Sequence, residues 1–176
     1  MGEYYDFESA DGFATGAIGQ PGSRTFYLQV RAEGRVISIK CEKQQVSALS
    51  DYLRTMLADM PDPGGDDDVT SAALTSPVEQ DFVLGSIGLG MDRPNMKMVV
   101  QLEEMVVVDD SDDDIFDLLD DDDEDIDSTV VRVLLTPRQA KAFCETADLF
   151  LSAGRSTCKW CGSPIDPTGH ACPKFN

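Results

Sequence analysis

Arg35-Val-Ile-Ser-Ile-Lys-Cys41 followed by Glu42-Lys-Gln-Gln-Val-Ser-Ala-Leu-Ser-Asp-Tyr-Leu-Arg-Thr-Met-Leu57 changes its hydrophobic period part-way along. In the first part Ile37, Ile39 and Cys41 alternate with Ser38 and Lys40, the pattern of a strand with one buried face. From Val46 the apolar positions become Leu49, Leu53, Met56 and Leu57, which share one side of a helix. A strand that runs directly into an amphipathic helix points to an α+β fold, because the helix must lay its apolar stripe on a sheet.

The same transition recurs 94 residues later. Thr129-Val-Val-Arg-Val-Leu-Leu135 reads as a strand, and Ala140, Phe143, Ala147, Phe150 and Leu151 repeat the helical spacing. Thr136, Pro137 and Gln139 form a helix start, with a cap, a first-turn proline and a capping-box partner. Glu42 and Gln45 take the equivalent places before the first helix.

The match extends upstream. Phe13-Ala-Thr-Gly16-Ala-Ile18-Gly19 resembles Phe82-Val-Leu-Gly85-Ser-Ile87-Gly88. Arg24-Thr-Phe26-Tyr-Leu28-Gln-Val30 alternates like Pro94-Asn-Met96-Lys-Met98-Val-Val100. The expected architecture is a duplicated strand-strand-strand-helix unit: an antiparallel sheet with two packed helices, related by a pseudo-two-fold. Turns such as Gln20-Pro21-Gly22 and Glu33-Gly34 suit antiparallel hairpins. The expected boundaries are a first repeat at 1–60, a linker at 61–78, a second repeat at 79–153 with an acidic insertion at 104–128, and a tail at 154–176.

The chain has 33 acidic and 14 basic residues, for a formal net charge of -19. Thirteen of the nineteen residues from Asp109 to Asp127 are acidic. Such a field repels phosphate backbones, so nucleic-acid binding is disfavoured. The run reads as a solvated excursion. The embedded Ile115, Phe116, Leu118 and Leu119 leave open that it folds onto a basic protein partner. It lacks the glycine and ligand spacing of an EF-hand loop. No apolar run approaches the roughly 18 residues that span a bilayer, and no signal-peptide pattern opens the chain. The expected location is the cytoplasm.

The densest chemistry lies in the tail. Cys158, Cys161, His170 and Cys172 bring three thiols and the single histidine into one short window. Thiolate and imidazole are the ligands of structural zinc, and four of them close its tetrahedron. His170 and Cys172 are separated by one residue rather than two, which an extended segment accommodates by placing both on one side. The alternatives are a Cys158–Cys161 redox pair or inert thiols. Trp160, between the first two ligands, is expected to pack the tail onto the body, or otherwise to contact a partner.

The tail from Cys158 to Pro173, the helix opening Leu134-Leu-Thr-Pro-Arg-Gln-Ala140 and the beginning from Phe7 to Gly19 together resemble a family of uncharacterised actinobacterial proteins, a domain of unknown function. The resemblance implies bacterial origin and a cytoplasmic context, but no activity.

With its only histidine assigned to a metal, the chain offers no Ser-His-Asp or Cys-His device. Gly16, Gly19 and Gly22 lack the following Lys of a phosphate loop and read as a strand turn or bulge. Cys41 and Cys144 read as buried spacers. The expected function is a non-enzymatic, zinc-containing interaction or adaptor protein. One alternative is a small-ligand binder or enzyme with a site between the repeats, near Gly16 to Gly22 and Gly85 to Gly90, where Arg24 and Arg93 are matched. A further alternative is weak nucleic-acid binding through Arg155, Lys159 and Lys174 of the tail.

Overall fold

The computed structural model describes residues 2–61, 72–107, 128–152, 156–163, 165 and 169–175. The acidic run Asp109 to Asp127 and the centre of the expected linker lie outside the described residues.

The period-two segments form the strands β1 (Tyr4–Phe7), β2 (Gly12–Ile18), β3 (Thr25–Ala32), β4 (Arg35–Cys41), β5 (Gln80–Asp92), β6 (Lys97–Glu104) and β7 (Val130–Leu135). The two helical stretches form α1 (Lys43–Ala58) and α2 (Pro137–Ser152). All seven strands join one sheet in the order β1-β7-β6-β5-β4-β3-β2. The class is α+β. Among the described residues, no helix is long and apolar enough to cross a membrane.

The sheet is mixed, which corrects the expectation of an antiparallel one. The hairpins β2–β3, β3–β4 and β5–β6 are antiparallel, as is β6–β7. β4 and β5 are parallel, and so are β1 and β7. The cause is connection length. A tight turn reverses the chain, whereas the link from β4 to β5 contains a whole helix and lets β5 enter in the same sense. β1 is a second correction: four residues are too few to show a period, yet Tyr4 to Phe7 pair with Val130 to Val133. β6 also starts later than its alternation suggests, because Pro94 to Met96 form the turn after β5.

The core lies between the sheet and the helices. Val46, Leu49 and Leu53 of α1 and Ala140, Phe143 and Ala147 of α2 are buried against Leu28, Val30, Ile39, Val100, Leu102 and Val133. Phe143 rests on Phe13 of β2 with ring centroids 4.8 Å apart. The helices also meet each other: Arg54 pairs with Asp148 at 2.6 Å, and the Cys144 thiol donates to the Ser50 carbonyl.

Both helices start as their sequences imply. The Thr136 hydroxyl accepts from the Gln139 amide at 3.2 Å, and the Gln139 carbonyl oxygen accepts from the Thr136 amide at 3.0 Å. Gln45 accepts from the Glu42 amide at 2.8 Å. Each glutamine then uses its NH₂ to reach a neighbouring segment. Gln139 donates to the Ala10 carbonyl, and Gln45 donates to those of Leu84 and Gly85.

Two local features bear on the function. The end of the expected linker is bound to the sheet: Ala72 accepts from the Thr15 amide at 3.1 Å, and Gln29 exchanges hydrogen bonds with the Thr75 backbone. β5, in contrast, outruns its neighbour. β4 pairs with it only through Gln80, Phe82 and Val83. The register against β6 shifts between Leu84 and Ser86, where a side chain at Gly85 would meet the Met105 backbone at 2.9 Å.

Cys41 and Cys144 are buried, as expected for spacers. Burial pushes the Cys41 thiol from 9.0 up to about 12. The folded state therefore resists ionisation that the unfolded chain accepts. Its stabilising contribution is complete below pH 9 and is lost as pH rises toward 12. The expected loss by pH 10 is about 1.4 kcal/mol. Urea melts of the wild type and Cys41→Ala between pH 8 and pH 10 would check this. Parallel pH profiles for the two proteins would refute it.

Candidate metal centre

The tail builds its site from backbone turns. The Gly162 amide donates to the Cys158 carbonyl at 2.9 Å, and the Cys158 amide donates to Ser163 at 2.8 Å. The Ile165 amide closes the turn on Ser156 at 2.7 Å. Gly162 holds φ at 75°, a left-handed conformation that a side chain would disfavour. This turn presents Cys158 and Cys161 together.

His170 and Cys172 come up to the same place. The Cys158 and Cys172 sulfurs are 3.8 Å apart, and the Cys161 sulfur is 3.0 Å from His170 Nε2. All four ligand atoms lie within 4.8 Å of one another, so this Cys₃His cluster could hold a metal ion. The 3.8 Å sulfur separation is far beyond a disulfide of about 2.05 Å. Hydrogen bonds from the side chain and backbone of Ser163 are the largest influences on Cys161 and bring its thiol from 9.0 down to about 6. The Cys172 thiol is pushed up, chiefly by desolvation.

Cys158 is buried, while Cys161, His170 and Cys172 are half-buried. Trp160 departs from its first expectation: it is 62% exposed rather than packed away on the body. Its place at the tip of the Cys158–Cys161 turn explains this, since a turn that points its sulfurs inward points its middle residues outward. Lys159 and Lys174 are exposed as well, and Arg155 lies outside the described residues.

A family model described as Protein of unknown function (DUF3090) matches residues 5–172. The chain belongs to this family. The matched span opens in β1 and closes on Cys172, so all four cluster residues fall inside it. Searches of curated proteins and of solved structures gave no match.

Sequence reading found this cluster but only half of a second feature. A groove of about 740 Å³ runs between α1 and β5. Gly85 and Gly90 line it, within the glycine segment singled out from sequence, together with Leu49, Tyr52 and Met56 of the helix. Gly16 is elsewhere, covered by Leu74 and Phe150. Arg93 lines a recess that shares Asp59 and Met91 with the groove, whereas Arg24 lines neither. One signal was available: Tyr52 is a large ring outside the buried stripe of α1.

Proposed function

We propose that the chain is a non-enzymatic protein whose tail is clipped by a structural zinc ion and whose surfaces bind partners. The observation that carries the reading is the four-donor cluster. Donors about 2.0–2.3 Å from a tetrahedral zinc stand roughly 3.3–3.8 Å apart; Cys158 and Cys172 stand 3.8 Å apart, and Cys161 and His170 at 3.0 Å are closer than that range. Three thiolates and one imidazole fill every position, which leaves none for the water that catalytic zinc activates. Exposed Trp160 supports a contact role for the tail, and the acidic run from Asp109 to Asp127 is a further contact surface suited to a basic partner. The bacterial cytoplasm is the compartment that suits this reading, since it keeps unpaired thiols reduced.

The body is further inferred to be a duplicated unit. Two successive strand-strand-strand-helix segments support this, with helices offset by 94 residues and matching capping glutamines.

Protein purified without chelator is expected to carry about one equivalent of zinc by elemental analysis. Less than half an equivalent would overturn the metal assignment. Pull-downs from the native cell, with Trp160→Ala and with the Asp109 to Asp127 run removed, are expected to lose partners. An unchanged set in both would overturn the contact role.

A second reading, a small-ligand site, is favoured by the groove between α1 and β5. Among the described residues its lining offers Asp59 and Tyr52 as ionisable groups and no pair of carboxylates, which suits binding better than acid–base chemistry.

A further inference from the structure

Sheet edges invite pairing, and proteins blunt them with charge, proline or a covering segment. The outer edge of β2 is covered in this way, because its Thr15 amide donates to the Ala72 carbonyl. The edge of β5 beyond Val83 is different. From Leu84 to Asp92 it pairs with β6 on one side, and among the described residues no strand continues past the end of β4 on the other. The sequence there, Leu84-Gly-Ser-Ile-Gly-Leu-Gly-Met91, contains neither a charge nor a proline before Asp92. Gln45 reaches the Leu84 and Gly85 carbonyls, and its reach ends there.

α1 runs beside this open edge. Its wall extends from Gln45 to Asp59, about 21 Å at 1.5 Å per residue, and Gly85 to Met91 give a facing wall of about 20 Å. Equal walls enclose a channel long enough for about six extended residues. Ile87, Leu89 and Met91 stand opposite Leu102, Val100 and Met98, so they lie on the core face of the sheet, yet each is only half-buried. Met56 faces them, and Tyr52 stands at the rim, 64% exposed. Met60 and Met96 extend the apolar surface into the adjoining recess. Methionine-lined surfaces adapt to varied side chains.

Charge selects the occupant. Among the described residues Asp59 is the one charged residue lining the groove, Arg93 lines the adjoining recess, and the chain as a whole carries -19. That field draws in cationic segments and repels anionic ones. We propose that the groove binds an extended basic peptide, which adds a strand to the open edge of β5 and sets alternate apolar side chains between β5 and α1. The proposal rests on the interaction-protein reading and gives it a surface and a partner class.

The probe is a fluorescein-labelled synthetic peptide of about ten residues that alternates lysine with leucine or valine, titrated against the full chain by anisotropy. Saturable binding is expected. Tyr52→Ala and Leu89→Asp, checked for folding by circular dichroism, are expected to weaken it at least about tenfold, the size typical of a central contact. N-methylating alternate backbone amides should do the same, because the added strand needs them. Replacing lysine by glutamate should abolish binding.

Equal binding of a lysine–serine peptide would overturn the proposal by assigning the attraction to the acidic run alone. Undiminished binding of the N-methylated peptide would overturn the strand geometry in favour of a helical ligand. Absence of binding together with dimerisation lost in Leu89→Asp would assign the edge to a second copy instead. Zinc measured on the same sample separates the two readings. Zinc-replete protein that ignores the peptide refutes the groove alone, and zinc-free protein that binds it refutes the clip alone.

Discussion

Cys158→Ser is expected to lower the proposed zinc content from about one equivalent to below about a tenth and to leave the tail open to proteases. Structural zinc in small modules contributes about 10–16 kcal/mol of binding free energy, and a tail this short has little apolar burial to replace it. Cys158 is the residue to replace because it is the buried one of the four and anchors the turn through its amide and carbonyl. The sheet and helices draw their core from other residues, so the urea transition of the body is expected to move by less than about 1 kcal/mol. Elemental analysis and limited proteolysis, with circular dichroism as the control for the body, would check this. Full zinc retention with an intact tail would refute the ligand assignment.

Phe143→Ala is expected to destabilise the body by about 3–5 kcal/mol. That is a large share of the roughly 5–15 kcal/mol typical of a folded domain. Phe143 has no exposed surface, and its ring lies on Phe13, so truncation leaves a cavity where α2 meets β2. Leu149→Ala on the same helix is the contrast. Leu149 is 69% exposed, and its loss is expected to change stability by no more than about 0.5 kcal/mol. Urea melts of both variants would test the pair. Equal effects would contradict the packing of α2 on the sheet.

These expectations draw on residues of differing legibility. Phe143 was legible because helical periodicity names the buried stripe whatever the helix packs on. Thr136, Pro137 and Gln139 were legible because capping is local, complete within one turn of chain. The clustering of Cys158, Cys161, His170 and Cys172 was legible because thiols and imidazole seldom gather in one short window without chemical cause, and the turn joining the first two is short. β1 was not legible, since the strand it pairs with is β7, more than a hundred residues away. Nor did the sequence separate the packed end of the linker, where Gln29 and Thr75 bind each other, from the rest of that segment.

The sequence by itself determined the α+β class, both helices and their caps, the buried cysteines of the body, and the identity of the four tail residues that approach one another. Each depends on side chains close in the chain or on a period that any packing must respect. Only the tertiary structure decided that β4 and β5 lie parallel, that β1 completes the sheet, that Trp160 faces outward, and that β5 runs on beside α1 past its pairing with β4. Those outcomes depend on where distant segments end relative to one another. β4 stops at Cys41 while β5 continues to Asp92, and no local pattern in either strand records that difference in reach.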